Sequence, residues 1–117
     1  MAFFVPTRIR RRRINLGQED RAYIRRKLGR KLRKFMPFVR RTSVRLDDVN
    51  GPRGGVDQVC QIKVVLTGLP SVVFEMQSAS LKAAVDGALS GVERAVRRSV
   101  QRRRMTNGRS EHHGSPL

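Results

Sequence analysis

Twenty-six lysines and arginines stand against nine aspartates and glutamates in these 117 residues, a net charge near +17. A compact fold can place that excess only on its surface. Like charge at this density opposes compaction, so each element must keep its apolar residues on one side and turn its cations outward. A polyanionic partner relieves the repulsion. A long phosphate array does this better than a small acidic substrate, because it neutralises many charges and releases many counterions together. With 38% hydrophobic residues, the length supports one domain with a modest two-layer core, whereas two separate cores would be marginal.

No uninterrupted apolar run approaches the roughly 20 residues that span a bilayer. Met1–Pro6 is too short, and too uncharged at its start, for an export signal. The expected compartment is the cytoplasm, or another reducing compartment that holds nucleic acid. The single cysteine, Cys60, has no internal partner for a disulfide and sits among apolar residues, which reads as a small buried side chain.

Along the chain, Thr7–Arg13 leads through Ile9 toward Ile14 and Leu16 and predicts a first strand, at a sheet edge or carrying a bulge. Ile24, Leu28, Leu32 and Phe35 recur at helical spacing between the acidic pair Glu19–Asp20 and Pro37, which predicts a helix over 18–36. Phe38, Val39, Val44 and Leu46 predict a strand ending at Asp47–Asp48, and the glycine-rich stretch 50–55 reads as a hairpin connection. The run from Val59 to Leu66 alternates, with Cys60, Ile62, Val64 and Leu66 on one face and Gln61 and Lys63 on the other. That parity predicts a sheet covered on one face only. A turn at Gly68–Pro70 and a strand through Val72, Phe74 and Met76 follow.

Ser78 or Ser80 can cap a second helix over 79–102, whose apolar face includes Leu81, Val85, Ala88, Leu89, Val92 and Val96. Gly87 and Gly91 weaken that helix locally while permitting close packing. The order β-α-β-β-β-α gives two amphipathic helices one sheet face to bury, an α+β two-layer sandwich of four strands. The domain spans 7–104. No second apolar pattern follows, so 105–117 is expected as a disordered tail.

In the first helix, Arg26, Arg30 and Arg33 project nearly opposite the apolar stripe, flanked by Arg25 and Lys34. Lys31 lies beside the stripe, where its aliphatic stem can lie on the apolar surface. In the second helix, Arg94, Arg97 and Arg98 point away from the core, and Arg102, Arg103 and Arg104 extend the positive surface. Side by side on the sheet, the two helices would present one basic face. Arginine forks clasp phosphate, which suits backbone or shape recognition more than a base-reading code. Arg8, Arg10, Arg11, Arg12 and Arg13 could add a clamp beside that face, depending on strand register. Tyr23 reads as partly buried beside Ile24, and Phe35 and Phe74 as core, so aromatic base platforms have little support.

Catalytic chemistry finds few residues. Asp47, Asp48 and Asp57 are the one conspicuous carboxylate group, and without a further constellation they read as turn or solvent residues. His112 and His113 with Cys60 are too separated to establish zinc, and the glycines at 51, 54 and 55 precede no Gly-Lys-Ser/Thr arrangement. No cofactor is expected. A membrane-surface role is disfavoured because the helices' apolar faces are needed for the core.

The run Ile14–Leu28 with Phe35, the stretch Val44–Ile62 with its glycine-rich connection, and Ala84, Val85, Ala88 and Val92 together resemble the ribosome hibernation promoting factor and ribosome-associated inhibitor family, in its short single-domain form. The resemblance implies a β-α-β-β-β-α protein whose basic helical face sits on small-subunit ribosomal RNA, overlapping the messenger and transfer RNA channel. It further implies steric blockade of translation and preservation of inactive ribosomes under stress. By position, the RNA contacts the resemblance implies are Arg25, Arg26, Arg30, Arg33, Arg94, Arg97 and Arg98; the charge pattern adds Lys34, with Arg8, Arg10, Arg12, Arg102 and Arg103 as accessory contacts. The implied partner is the small ribosomal subunit, bound by a protein that is monomeric when free. The second domain by which long members pair ribosomes is lacking, so pairing through such a domain is not expected. The same basic surface would serve a ribosomal assembly protein or a general RNA chaperone. A magnesium-dependent nuclease is the enzymatic alternative.

Overall fold

A computed structural model of the chain describes residues 7–12, 16–48 and 58–113, with side chains in the last stretch to Arg102. The elements are β1 (Thr7–Arg12), α1 (Gln18–Lys31), a 3₁₀ helix (Arg33–Phe38), β2 (Val39–Asp48), β3 (Gln58–Leu66), β4 (Val72–Ser78) and α2 (Leu81–His113). The four strands lie in the order β1-β2-β3-β4, with β1 parallel to β2 and the remaining pairs antiparallel. α1 is the crossover that a parallel β1–β2 pair requires. The α+β sandwich is therefore the observed fold, and β1 takes the edge position.

Local chemistry sets most of these boundaries. The Gly17 N–H donates to Asp20 Oδ2 at 3.3 Å, and Glu19 and Asp20 occupy the electropositive first turn of α1. The first helix ends at Lys31 rather than at the expected residue 36, because Pro37 has no N–H to donate and disfavours α geometry at Met36. The chain tightens into the 3₁₀ helix, where the Phe35 N–H donates to the Leu32 carbonyl at 2.9 Å. In 3₁₀ geometry residues three apart eclipse, so Phe35 follows Leu32 into the core and both are buried. α2 opens on Ser80, whose Oγ accepts from the Ala83 N–H at 3.1 Å. It runs to His113, past the expected end at 102 and into the stretch expected as a tail. The hairpin connection expected at 50–55 lies outside the described residues.

The core sits between one sheet face and both helices. Ile24, Leu28 and Leu32 meet Val44, Leu46, Cys60, Ile62 and Val64, while Val85, Leu89, Val92, Val96 and Val100 complete it from α2. Each such large aliphatic contributes about 1.5–3 kcal/mol by leaving water. Thr42 is the buried polar residue of β2, and its Oγ1 donates to Oγ1 of Thr7, its register partner on β1, at 2.9 Å. Burial pushes the Cys60 thiol up to about 12, which marks a packing residue.

α2 approaches β4 closely because two of its inner positions carry no side chain. A Cβ on Gly87 would come within 2.9 Å of Met76 Cγ and Cε, and one on Gly91 would overlap the ring of Phe74. Helix propensity alone would make Gly91→Ala stabilising by about 1 kcal/mol. The Phe74 overlap reverses the sign, and Gly91→Ala is expected to lower stability by about 1–3 kcal/mol. Urea unfolding checks this: a lower midpoint at unchanged slope is the predicted result, and a raised midpoint contradicts the close approach.

Candidate nucleic-acid interface

Two side-chain links fix the helices beside each other. The Tyr23 hydroxyl donates to Asp86 Oδ1 at 2.7 Å, and Lys31 Nζ lies 3.7 Å from Glu93 Oε1. The first link joins the opening turns of α1 and α2, and the second joins the end of α1 to the middle of α2. The helices therefore run side by side in the same direction, with their apolar stripes on the sheet. Their outer surfaces merge. Arg25, Arg26, Arg30, Arg33 and Lys34 are exposed on the α1 side, and Arg94, Arg98 and Arg102 on the α2 side.

Charge compensation on this surface is concentrated in the seam. Glu93 takes both Lys31 and Arg97, the latter through a 3.0 Å contact to Arg97 Nη2, one turn along α2. Asp86 is occupied by Tyr23. Arg25, Arg26, Arg30, Lys34, Arg94 and Arg98 have no ion-pair partner among the described residues. Arg97, read from the sequence as an outward cation, is half-buried and already paired. The spacing Glu93–Arg97, four residues along a helix, was the available signal for that pair.

Tyr23 is not a free stacking platform. Its ring packs against the core, and Lys27 and Lys82 each bring Nζ to 5.7 Å from its centroid. The hydrogen bond to Asp86 raises the phenol above its ordinary pKa, with burial and the carboxylate charge acting in the same sense.

The clamp expected from the first strand lies elsewhere. Alternation along β1 turns Ile9 toward the core and sends Arg8, Arg10 and Arg12 to the open face of the sheet, away from the helices. Arg41, Arg45 and Lys63 share that face, which sequence reading did not assemble into a site. The signal for Arg45 and Lys63 was their alternation with the buried Val44, Leu46, Ile62 and Val64. Arg41 follows a register irregularity at Val39/Arg41 that sequence does not announce. The Arg103 and Arg104 side chains and Arg13 lie outside the described residues.

The alternative chemistries find no site among the described residues, which hold no group of three or more His, Cys, Asp and Glu able to bind a metal. Asp47 and Asp48 close β2, while Asp57 and the side chains of His112 and His113 lie outside the described residues. No described helix is long and apolar enough to cross a membrane.

A one-sided sheet backed by two helices with uncompensated guanidinium groups on their outer surfaces defines a basic α+β domain of the RNA-binding class. The sequence pattern of the Sigma 54 modulation protein / S30EA ribosomal protein family matches residues 7–104, and the chain belongs to that family of ribosome-associated, non-catalytic proteins. The structure is similar to the N-terminal domain of Protein Y from Thermus thermophilus, with 25% identity and a TM-score of 0.66 over 81% of this chain and 97% of that one. It also shares its fold with a ribosomal subunit interface protein from Coxiella burnetii, with 12% identity and a TM-score of 0.70 over 80% of this chain and 96% of that one. No curated protein matches the sequence.

Glu93 is the carboxylate that holds two cations of the seam, so Glu93→Gln should free Lys31 and Arg97 for phosphate. Partly exposed pairs of this kind are worth about 0–1 kcal/mol, so stability should change little. RNA affinity should rise, and the slope of log K against log salt should steepen by about 1–2. Fluorescence anisotropy across a salt series checks this, and an unchanged slope would show that the seam cations do not reach RNA.

Proposed function

We propose that the merged outer surface of α1 and α2 docks on small-subunit ribosomal RNA within the channel used by messenger and transfer RNA, and keeps ribosomes inactive during stress. The observation that carries this reading is the placement of Arg26 and Arg30 with Arg94 and Arg98 on the outer surfaces of adjacent helices, with the neighbouring Glu93 already paired to Lys31 and Arg97. Membership of a family of ribosomal proteins supplies the ribosome. The Coxiella burnetii protein that shares the fold is a ribosomal subunit interface protein, and a site between the subunits agrees with that role.

Binding of this kind is stoichiometric. Arginine and lysine side chains displace counterions from phosphates, and the bulk of the sandwich occupies the volume the translating RNAs require. No proton transfer, metal or cofactor enters. A cytoplasmic monomer binding one small subunit is sufficient for the blockade, and salt governs its affinity.

Replacing Arg26, Arg30, Arg94 and Arg98 together by Gln should leave the far-UV circular dichroism intact, because all four are exposed. Co-sedimentation with small subunits should fall sharply. If each residue neutralises one phosphate, the salt slope should drop by about 3. Unchanged sedimentation would contradict the site. A chemical footprint of the bound subunit separates blockade from assembly or chaperoning: protection confined to the decoding region supports blockade, and broad protection of immature RNA contradicts it.

A further inference from the structure

The face of the sheet that the helices leave open is also basic. Alternation places Arg8, Arg10 and Arg12 of β1, Arg41 and Arg45 of β2 and Lys63 of β3 on it, all exposed. None of the six has an ion-pair partner among the described residues. Their positions are close. Arg10 stands directly opposite Arg45 in the parallel β1–β2 register, and Ser43 separates Arg8 from Lys63 along the next row. Like charges directly opposed across strands destabilise a sheet, so this row costs stability unless an anion occupies it.

The surface also has a shape. A cavity of about 600 Å³ opens among Arg8, Arg10, Arg41, Arg45, Gln61 and Lys63. Asp47 shares this face opposite Arg12 in the β1–β2 register, and Glu75, two strands from Arg45, accepts from Gln61 Nε2 at 3.3 Å. No aromatic side chain points to this face among the described residues, since Phe74 lies on the helix side against Gly91. Base stacking is therefore not on offer, while guanidinium forks and an ammonium are. That chemistry selects the phosphodiester backbone without regard to sequence.

We propose that the open sheet face is a second RNA-backbone site, so that the domain binds two RNA segments at once, one on the helices and one on the strands. The inference rests on the proposed function only in taking RNA as the ligand of the basic surfaces. A helix layer of about 10 Å or more and a further sheet layer separate the two sites, so the cations of one face do not reach phosphates held by the other. The protein then acts as a bridge: it fills a cleft between RNA segments and pulls on both walls, where a one-sided binder would cover a single wall.

Stoichiometry tests this with the full chain and an excess of a short RNA hairpin, read by native mass spectrometry and by sedimentation at low salt. The unmodified chain is expected to carry two hairpins. The sheet-face variant Arg10→Gln, Arg45→Gln, Lys63→Gln and the helix-face variant Arg26→Gln, Arg30→Gln, Arg94→Gln, Arg98→Gln should each carry one, and their combination none. Circular dichroism monitors folding. The pair Arg8→Gln, Arg41→Gln gives an independent sheet-face variant, expected to weaken the second hairpin at least tenfold. A single hairpin on the unmodified chain overturns the inference, and so does a second hairpin unaffected by either sheet-face variant. If the helix-face variant alone abolishes all binding, the second site is refuted and the proposed function stands. If the sheet-face variant alone abolishes all binding, both fail.

Discussion

The structure depends on how two amphipathic helices share one side of a four-stranded sheet. Ile24, Leu28, Val85, Leu89, Val92 and Val96 spend their apolar surface on Val44, Ile62 and Val64, and among the described residues Val73 is the large apolar side chain left exposed. The cations then have no choice of side. Tyr23–Asp86 and Lys31–Glu93 hold the seam between the helices, while Arg26, Arg30, Arg94 and Arg98 make no ion pair among the described residues. Stability and binding therefore draw on the same geometry, because the packing that builds the core concentrates the repulsion that RNA relieves.

Glycine sets how tightly that arrangement closes. Without side chains at Gly87 and Gly91, α2 rests directly on Met76 and Phe74 of β4, and the long second helix is fixed against the sheet rather than standing off it. The same sheet presents its other side to solvent, where the strand period sorts residues as strictly as the helical period does on α1 and α2. In a chain this basic, an uncovered sheet face becomes a charged one by default. The protein thus has two basic faces set back to back.

Sequence made the strands β2 to β4 and the helix faces legible because their apolar residues recur at clean periods: every second residue from Cys60 to Leu66, and helical spacing from Ile24 to Leu32 and from Val85 to Val96. It failed where that signal is absent. In β1 a run of arginines has no polar–apolar alternation beyond Ile9, so only the pairing with β2 shows which side Arg8, Arg10 and Arg12 take. At the end of α1, Leu32 and Phe35 fit helical spacing, yet Pro37 converts the last turn to 3₁₀ while keeping both residues inside. In α2 the apolar stripe stops near Val100, but Arg, Gln and Met are good helix formers and the backbone remains helical to His113. Opposite-charge pairing at Glu93 was readable from its spacing to Arg97, whereas its pairing with Lys31 needed the packing of α1 on α2.

The most direct test is a cryo-electron microscopy map of the protein on the small ribosomal subunit. The expected map shows density for α1 and α2 with Arg26, Arg30, Arg94 and Arg98 against ribosomal RNA phosphates inside the messenger and transfer RNA channel. A map in which those four side chains face solvent, or pack on a ribosomal protein instead of RNA, would contradict it.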